Sequence, residues 1–198
     1  MFLDPNLFTF EDRRFLNVRP WKTLQVGDLD IYLSPKCATN TLKYIAYLHA
    51  GGKEDVSDIR DSTYDVLKLT SSSILTYNSE RKNAKKLCVK RDPIERVLSA
   101  LVWYNWKYNQ KETIDTILEM IPDDIHFWPQ TCFYGDPQKY DYIVNLNEII
   151  STINNHLNTS YSLDIHKGQT ELIKPTLDDD QRTKLKHLYK VDYEKGYC

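Results

Sequence analysis

The residues best suited to hold an anion lie in the stretch Pro35-Lys36-Cys37-Ala38-Thr39-Asn40-Thr41, a lysine among small and hydroxylic neighbours. If a helix starts inside this stretch, its first N–H groups have no partner within the helix and present the positive end of the helix dipole. That is the setting in which a phosphate or sulfate group binds. Lys36 adds a point charge, and Thr39 or Asn40 serves as the cap. The triphosphate-binding pattern GxxxxGK[ST] is absent, because residues 34–43 contain no glycine. A solvated lysine between a strand and a helix has the same local signature, so the loop alone does not choose its anion.

Two strand-loop-helix units must position such chemistry. In the first, Leu29, Ile31 and Leu33 alternate as a strand, and Pro35 ends the ladder. Leu42, Ile45, Ala46 and His49 then recur at helical spacing, and Gly51-Gly52 closes the helix. The second unit opens with the apolar run Leu87-Cys88-Val89 and continues into a helix with Asp92 as N-cap, Pro93 at the first position and Glu95 three residues after the cap. Ile94, Val97, Leu98 and Leu101 form its buried stripe, which leaves Arg96 and Ser99 together on another face. Trp103, Tyr104, Trp106 and Tyr108 extend it. Two such units predict an α/β fold with a central parallel sheet flanked by helices, in which ligands bind beyond the carboxyl ends of the strands.

The remaining elements are plainer. Residues 1–28 read as a polar arm anchored by Phe8, Phe10, Phe15 and Trp21 on a single domain spanning 1–198. Ser57 to Leu69 is a helix, and Ser71 to Ser79 a loop or short strand. Residues 112–121 form a short helix before Pro122, Tyr140 to Leu146 a third strand, Asn147 to Leu157 a helix, and Leu177 to Tyr193 a last helix with Asp178 at its start.

Composition removes several classes of function. The chain has 198 residues, 41% of them hydrophobic, enough for one well-buried core. With 26 basic against 28 acidic residues it carries no general positive field, so nucleic acid is not an expected partner. Cys37, Cys88, Cys132 and Cys198 form no CxxC pair, which argues against structural zinc and for reduced thiols in a cytoplasmic protein. The start has no basic segment followed by an apolar core, and no run of 18 apolar residues occurs, so no membrane anchor is expected.

Taken together, the chain resembles the sulfotransferases that use 3′-phosphoadenosine 5′-phosphosulfate, PAPS, and specifically their carbohydrate-type branch. The resemblance covers most of residues 29–197 in order. Pro35 to Thr41 resembles the loop that holds the 5′-phosphosulfate. Arg91-Asp92-Pro93-Ile94-Glu95-Arg96-Val97-Leu98-Ser99 resembles the 3′-phosphate segment, in which an Arg and a Ser eight residues later grip that phosphate. His126-Phe127-Trp128-Pro129-Gln130 is similar to a His-aromatic-x-Pro-Gln element, Tyr140-Asp141-Tyr142-Ile143 to a strand of the same branch, and Tyr189-Lys190-Val191-Asp192-Tyr193 with Tyr197 to its ending.

The resemblance implies a P-loop-kinase-like sulfotransferase fold without a metal requirement. It also implies direct in-line transfer of a sulfuryl group from PAPS to an acceptor hydroxyl, expected on a glycan. Lys36, Cys37, Ala38, Thr39, Asn40 and Thr41 would bind the phosphosulfate, and Arg91 and Ser99 the 3′-phosphate. Lys167 and Gly168 would close over the nucleotide. Lys36 would stabilise the bridging oxygen as the S–O bond breaks. His126 is the candidate base, since an unperturbed imidazole accepts a proton near neutral pH; related enzymes often place it after the first helix, where His49, Glu54, Asp58 and Asp61 stand. Two departures stand out: Ala38 replaces a common Gly, and Asn40-Thr41 reverses a Thr-Asn order. A nucleotide kinase or hydrolase with a degenerate phosphate loop, and a catalytically silent nucleotide-binding module, are the alternative readings.

Overall fold

The computed structural model describes residues 23–52, 75–76, 81–120, 124–162 and 174–198. The chain divides into two compact units interleaved in sequence. The described residues of 20–90 and 137–169 form one, and those of 91–136 and 170–198 the other.

The first unit is an α/β layer. Its strands are β1 (Thr23–Val26), β2 (Leu29–Tyr32), β3 (Leu75–Thr76), β4 (Lys85–Val89) and β5 (Tyr142–Val144), in the order β3-β1-β2-β4-β5. β2, β4 and β5 run parallel, with Ile31 beside Leu87 and Val89 beside Val144. β1 is antiparallel to both β2 and β3, so the sheet is mixed rather than parallel throughout. The reading of residues 1–28 as an arm fails at the same place. Thr23-Leu24-Gln25-Val26 is a strand, turned into β2 by the two-residue loop Gly27-Asp28 with Gly27 at φ +58°. A glycine in the first loop position is what a tight hairpin of this kind favours.

Pairing puts Leu24, Val26, Leu29, Ile31, Leu87, Val89 and Val144 on one face, where they share a core with helix α1 (Thr39–His49) and with Ile149 and Ile153. Each fully buried leucine or isoleucine contributes about 1.5–3 kcal/mol. On the opposite face Asp30 is fully buried and held by Arg81 through Nε at 2.8 Å and through its backbone N–H at 3.2 Å. Helix α1 ends as expected: Gly51 N–H donates to Leu48 O and Gly52 N–H to Tyr47 O, with Gly51 at φ +89°.

The second unit is helical. It contains α2 (Pro93–Tyr108), α3 (Ile114–Met120), a 3₁₀ turn at Ile125–Phe127, α4 (Thr131–Tyr134), α6 (Asp179–Leu188) and α7 (Lys190–Glu194); α5 (Ile149–Leu157) belongs to the sheet unit and follows a 3₁₀ turn at Leu146–Glu148. Ile94, Val97, Leu98 and Leu101 of α2 pack with Ile114, Ile117, Phe127, Leu185 and Tyr189. The expected single last helix is two, separated at Tyr189, and Asp178 caps the first of them through a reciprocal pair of bonds with Gln181. No helix among the described residues is long and apolar enough to cross a membrane.

Candidate functional site

The loop after β2 is built from backbone. Lys36 and Ala38 both take left-handed conformations, φ +64° and +56°, which cost a residue with a Cβ about 1–2 kcal/mol each. The turn is tied at its base, where Ser34 O accepts from Cys37 N–H at 3.2 Å and from the Thr39 hydroxyl at 2.9 Å. Ala38, not Thr39 or Asn40, is the N-cap of α1, and no side chain caps the helix. Thr39 cannot cap because it already lies in the first turn and its hydroxyl points back to Ser34. Cys37 is fully buried in the core of the sheet unit, Thr41 is buried, and Asn40 is exposed. The Ser34 hydroxyl is buried without a hydrogen-bond partner. A strained loop, an uncapped helix start and an unsatisfied buried hydroxyl thus occur within five residues, a combination that points to a ligand-holding site.

The Arg91–Ser99 segment is built differently. Asp92 Oδ1 accepts from Glu95 N–H at 2.9 Å and Pro93 occupies the first turn, so this helix start is filled by its own carboxylate. Tyr193 donates its hydroxyl to Asp92 Oδ2 at 3.3 Å, and Lys174 pairs with Glu95. Arg91 and Ser99 are half-buried. Arg96 does not share an open face with Ser99. It is fully buried, and its guanidinium donates to His126 O at 3.2 Å and to Trp128 O, with the Tyr189 ring 5.8 Å away. A charged group is tolerated at this buried position because two main-chain carbonyls accept hydrogen bonds from it.

His126 sits beside this support. Its Nδ1 lies 2.7 Å from Asp124 Oδ1, and its ring packs on Trp103 with centroids 4.2 Å apart. Burial alone would raise the Asp124 carboxyl, but hydrogen bonds from the His126 ring and N–H, with the nearby charges of His126 and Lys107, outweigh it and hold the pKa below the usual aspartate value. An ionised carboxylate only accepts, so Nδ1 carries the proton and Nε2 is the basic nitrogen. Trp106 and Tyr108 on the last turns of α2 are 53% and 47% exposed, and the Lys107 amine lies 4.6 Å from the Trp103 ring centroid.

Of the other candidate bases, His49 is on the last turn of α1 with Nδ1 3.0 Å from the Tyr161 hydroxyl, while Glu54, Asp58 and Asp61 lie outside the described residues. Lys167 and Gly168 lie outside them too, as does the helix expected over 57–69. Asp124 and Ser34 were not singled out by the sequence, and Gln130 and Asp192 stand in segments matched by the resemblance without a role of their own. The Asp-x-His spacing signals Asp124, and nothing local signals Ser34.

No protein-family model matches the chain, and no curated protein or solved structure is significantly similar to it.

Proposed function

We propose that the protein is a nucleotide-dependent group transferase. More particularly, we read it as a PAPS-dependent sulfotransferase of P-loop-kinase-like fold that needs no metal. The observation that carries this reading is the loop from Ser34 to Thr41: a helix start left without a side-chain cap, beside Lys36, in a backbone that costs energy to hold. A 5′-phosphosulfate supplies the negative oxygens such a start lacks. In this reading Lys36 and residues 38–41 take that group, since the buried Cys37 has given its N–H to Ser34 O, and Arg91 with Ser99 takes the 3′-phosphate, where a guanidinium fork matches two phosphate oxygens.

In the reaction an acceptor oxygen attacks sulfur as the bond to the bridging phosphate oxygen breaks. Lys36 stabilises the charge growing on that oxygen, and His126 Nε2 takes the acceptor proton while Asp124 stabilises the resulting imidazolium. The products are a sulfate ester and 3′-phosphoadenosine 5′-phosphate. A sugar hydroxyl is the proposed acceptor, with Trp106 and Tyr108 of α2 as the proposed contacts to a pyranose face.

Calorimetric titration with 3′-phosphoadenosine 5′-phosphate tests the reading. Binding in the micromolar range is expected, weakened about tenfold to hundredfold by Arg91→Ala, as loss of hydrogen bonds to a charged group implies. No heat at high nucleotide concentration overturns it, and Mg²⁺-dependent ATP turnover would establish the kinase or hydrolase reading instead.

A further inference from the structure

The Gln130 side chain is fully buried and spent on main chain. Its Oε1 accepts from Arg91 N–H at 3.0 Å, and its Nε2 donates to Arg91 O at 2.6 Å and to Tyr197 O at 2.9 Å. One amide thus satisfies both backbone groups of a single residue, as a neighbouring strand would. Gln130 is itself fixed: its N–H donates to Asp192 Oδ2 at 2.8 Å, while Thr131 gives Asp192 Oδ1 an N–H at 2.8 Å and a hydroxyl at 2.6 Å. Asp192 is a fully buried carboxylate with three donors around it.

Burying a carboxylate and an amide is a costly way to stabilise a loop when apolar packing would serve. The arrangement has a distinct product. Residue 91 is clamped through both its N–H and its C=O, and the next residues are held by the Asp92 cap and by Pro93. The direction in which the Arg91 side chain leaves the backbone is therefore set from both sides. A guanidinium that must meet two phosphate oxygens in one plane depends on that direction more than a point charge does.

We infer that Gln130, anchored by Asp192, is a positioning residue that aims Arg91 at the nucleotide 3′-phosphate and so sets selectivity for nucleotides bearing one. This rests on the PAPS reading. It goes beyond it by assigning a selectivity role to a residue that touches no ligand, and by explaining why the end of the chain is tied to the Arg91 corner.

The test compares the dissociation constants of 3′-phosphoadenosine 5′-phosphate and adenosine 5′-phosphate, which lacks the 3′-phosphate, in the full chain. Wild type should prefer the first. In Gln130→Met the ratio should fall by about tenfold or more, the size of a lost hydrogen bond to a charged group, while affinity for adenosine 5′-phosphate stays within a factor of about two. Gln130→Asn keeps a buried amide but is too short to span both Arg91 groups, and it carries the same comparison should the methionine variant not fold. A lowered melting temperature with an unchanged ratio would show that Gln130 only stabilises the unit, and the inference would fail. A wild type without preference would overturn the PAPS reading before any variant is made, so the two failures are told apart.

Discussion

Helices α1 and α2 each follow a strand in the sequence, yet their first turns are built in opposite ways. At α1 the cap position is an alanine in the left-handed region, with no capping side chain and a lysine two residues earlier. At α2 the cap is Asp92, whose carboxylate already occupies Glu95 N–H, and Tyr193 braces it. The same device, a helix start, carries no side-chain cap in one unit and is closed by a carboxylate in the other. On the proposed reading, an anion at the α1 loop would meet amides and the dipole, and one at the α2 corner would meet side chains, which gives the support around Arg91 a purpose.

The largest effects should break this comparison on the side of chemistry. Lys36→Ala should lower sulfuryl transfer by about two to three orders of magnitude, the usual cost of removing one oxyanion-stabilising group, with the circular-dichroism spectrum unchanged. Full activity would end the role assigned to the loop. His126→Ala should cost a similar factor in turnover, typical of a lost general base, with nucleotide affinity held. Near-normal turnover would move the base to His49 or to residues 54–61.

Stability measurements sharpen the contrast with smaller effects. Asp92→Ala removes a satisfied cap and should cost about 1 kcal/mol, or a fall of about 2–4 °C in melting temperature for a chain this size. Ala38→Gly should do the reverse and raise stability by about 0.5–1 kcal/mol, because glycine accepts φ +56° without the Cβ penalty. A neutral result at Ala38 would mean that the loop is not strained, and would remove one of the three reasons for reading it as a ligand site.

These two positions also show what one sequence can disclose. The α2 start was legible because Asp92, Pro93 and Glu95 act locally, within one turn. β2, β4 and α1 were legible because burial on one face imposes a period on the residues. β1 was less legible because four residues, Thr23 to Val26, are too short a run to show a period, and the preceding Pro20 and scattered aromatics carry no strand signal; only Gly27-Asp28 marks the hairpin loop. The loop around Lys36 was legible as the turn from strand to helix, but the left-handed Ala38 was not, since no residue type announces it. Arg96, Gln130 and Asp192 are charged or polar groups whose ordinary place is the surface. Their burial follows from bonds across 30 to 67 residues of chain, which no local pattern carries.

The smallest expected effect concerns acid, and it belongs to the side-chain-built unit. Asp124 is held below its ordinary pKa by His126 despite partial burial. A carboxyl whose folded value lies below its unfolded value, about 3.9, binds fewer protons when folded. Its stabilisation is therefore complete above about pH 5, shrinks as pH falls through the unfolded value and is gone below the folded one. Asp124 is only partly buried and its side chain keeps 21% of its exposure, so solvent screening makes this contribution modest. Melting temperatures between pH 5 and 2.5 should fall more steeply for wild type than for Asp124→Asn, which keeps an acceptor for the His126 N–H but has no charge to lose. Parallel curves would mean that the Asp124–His126 contact stores no charge-dependent energy. The proton assignment that leaves Nε2 basic would then lose its support, and with it the reason to prefer His126 over His49.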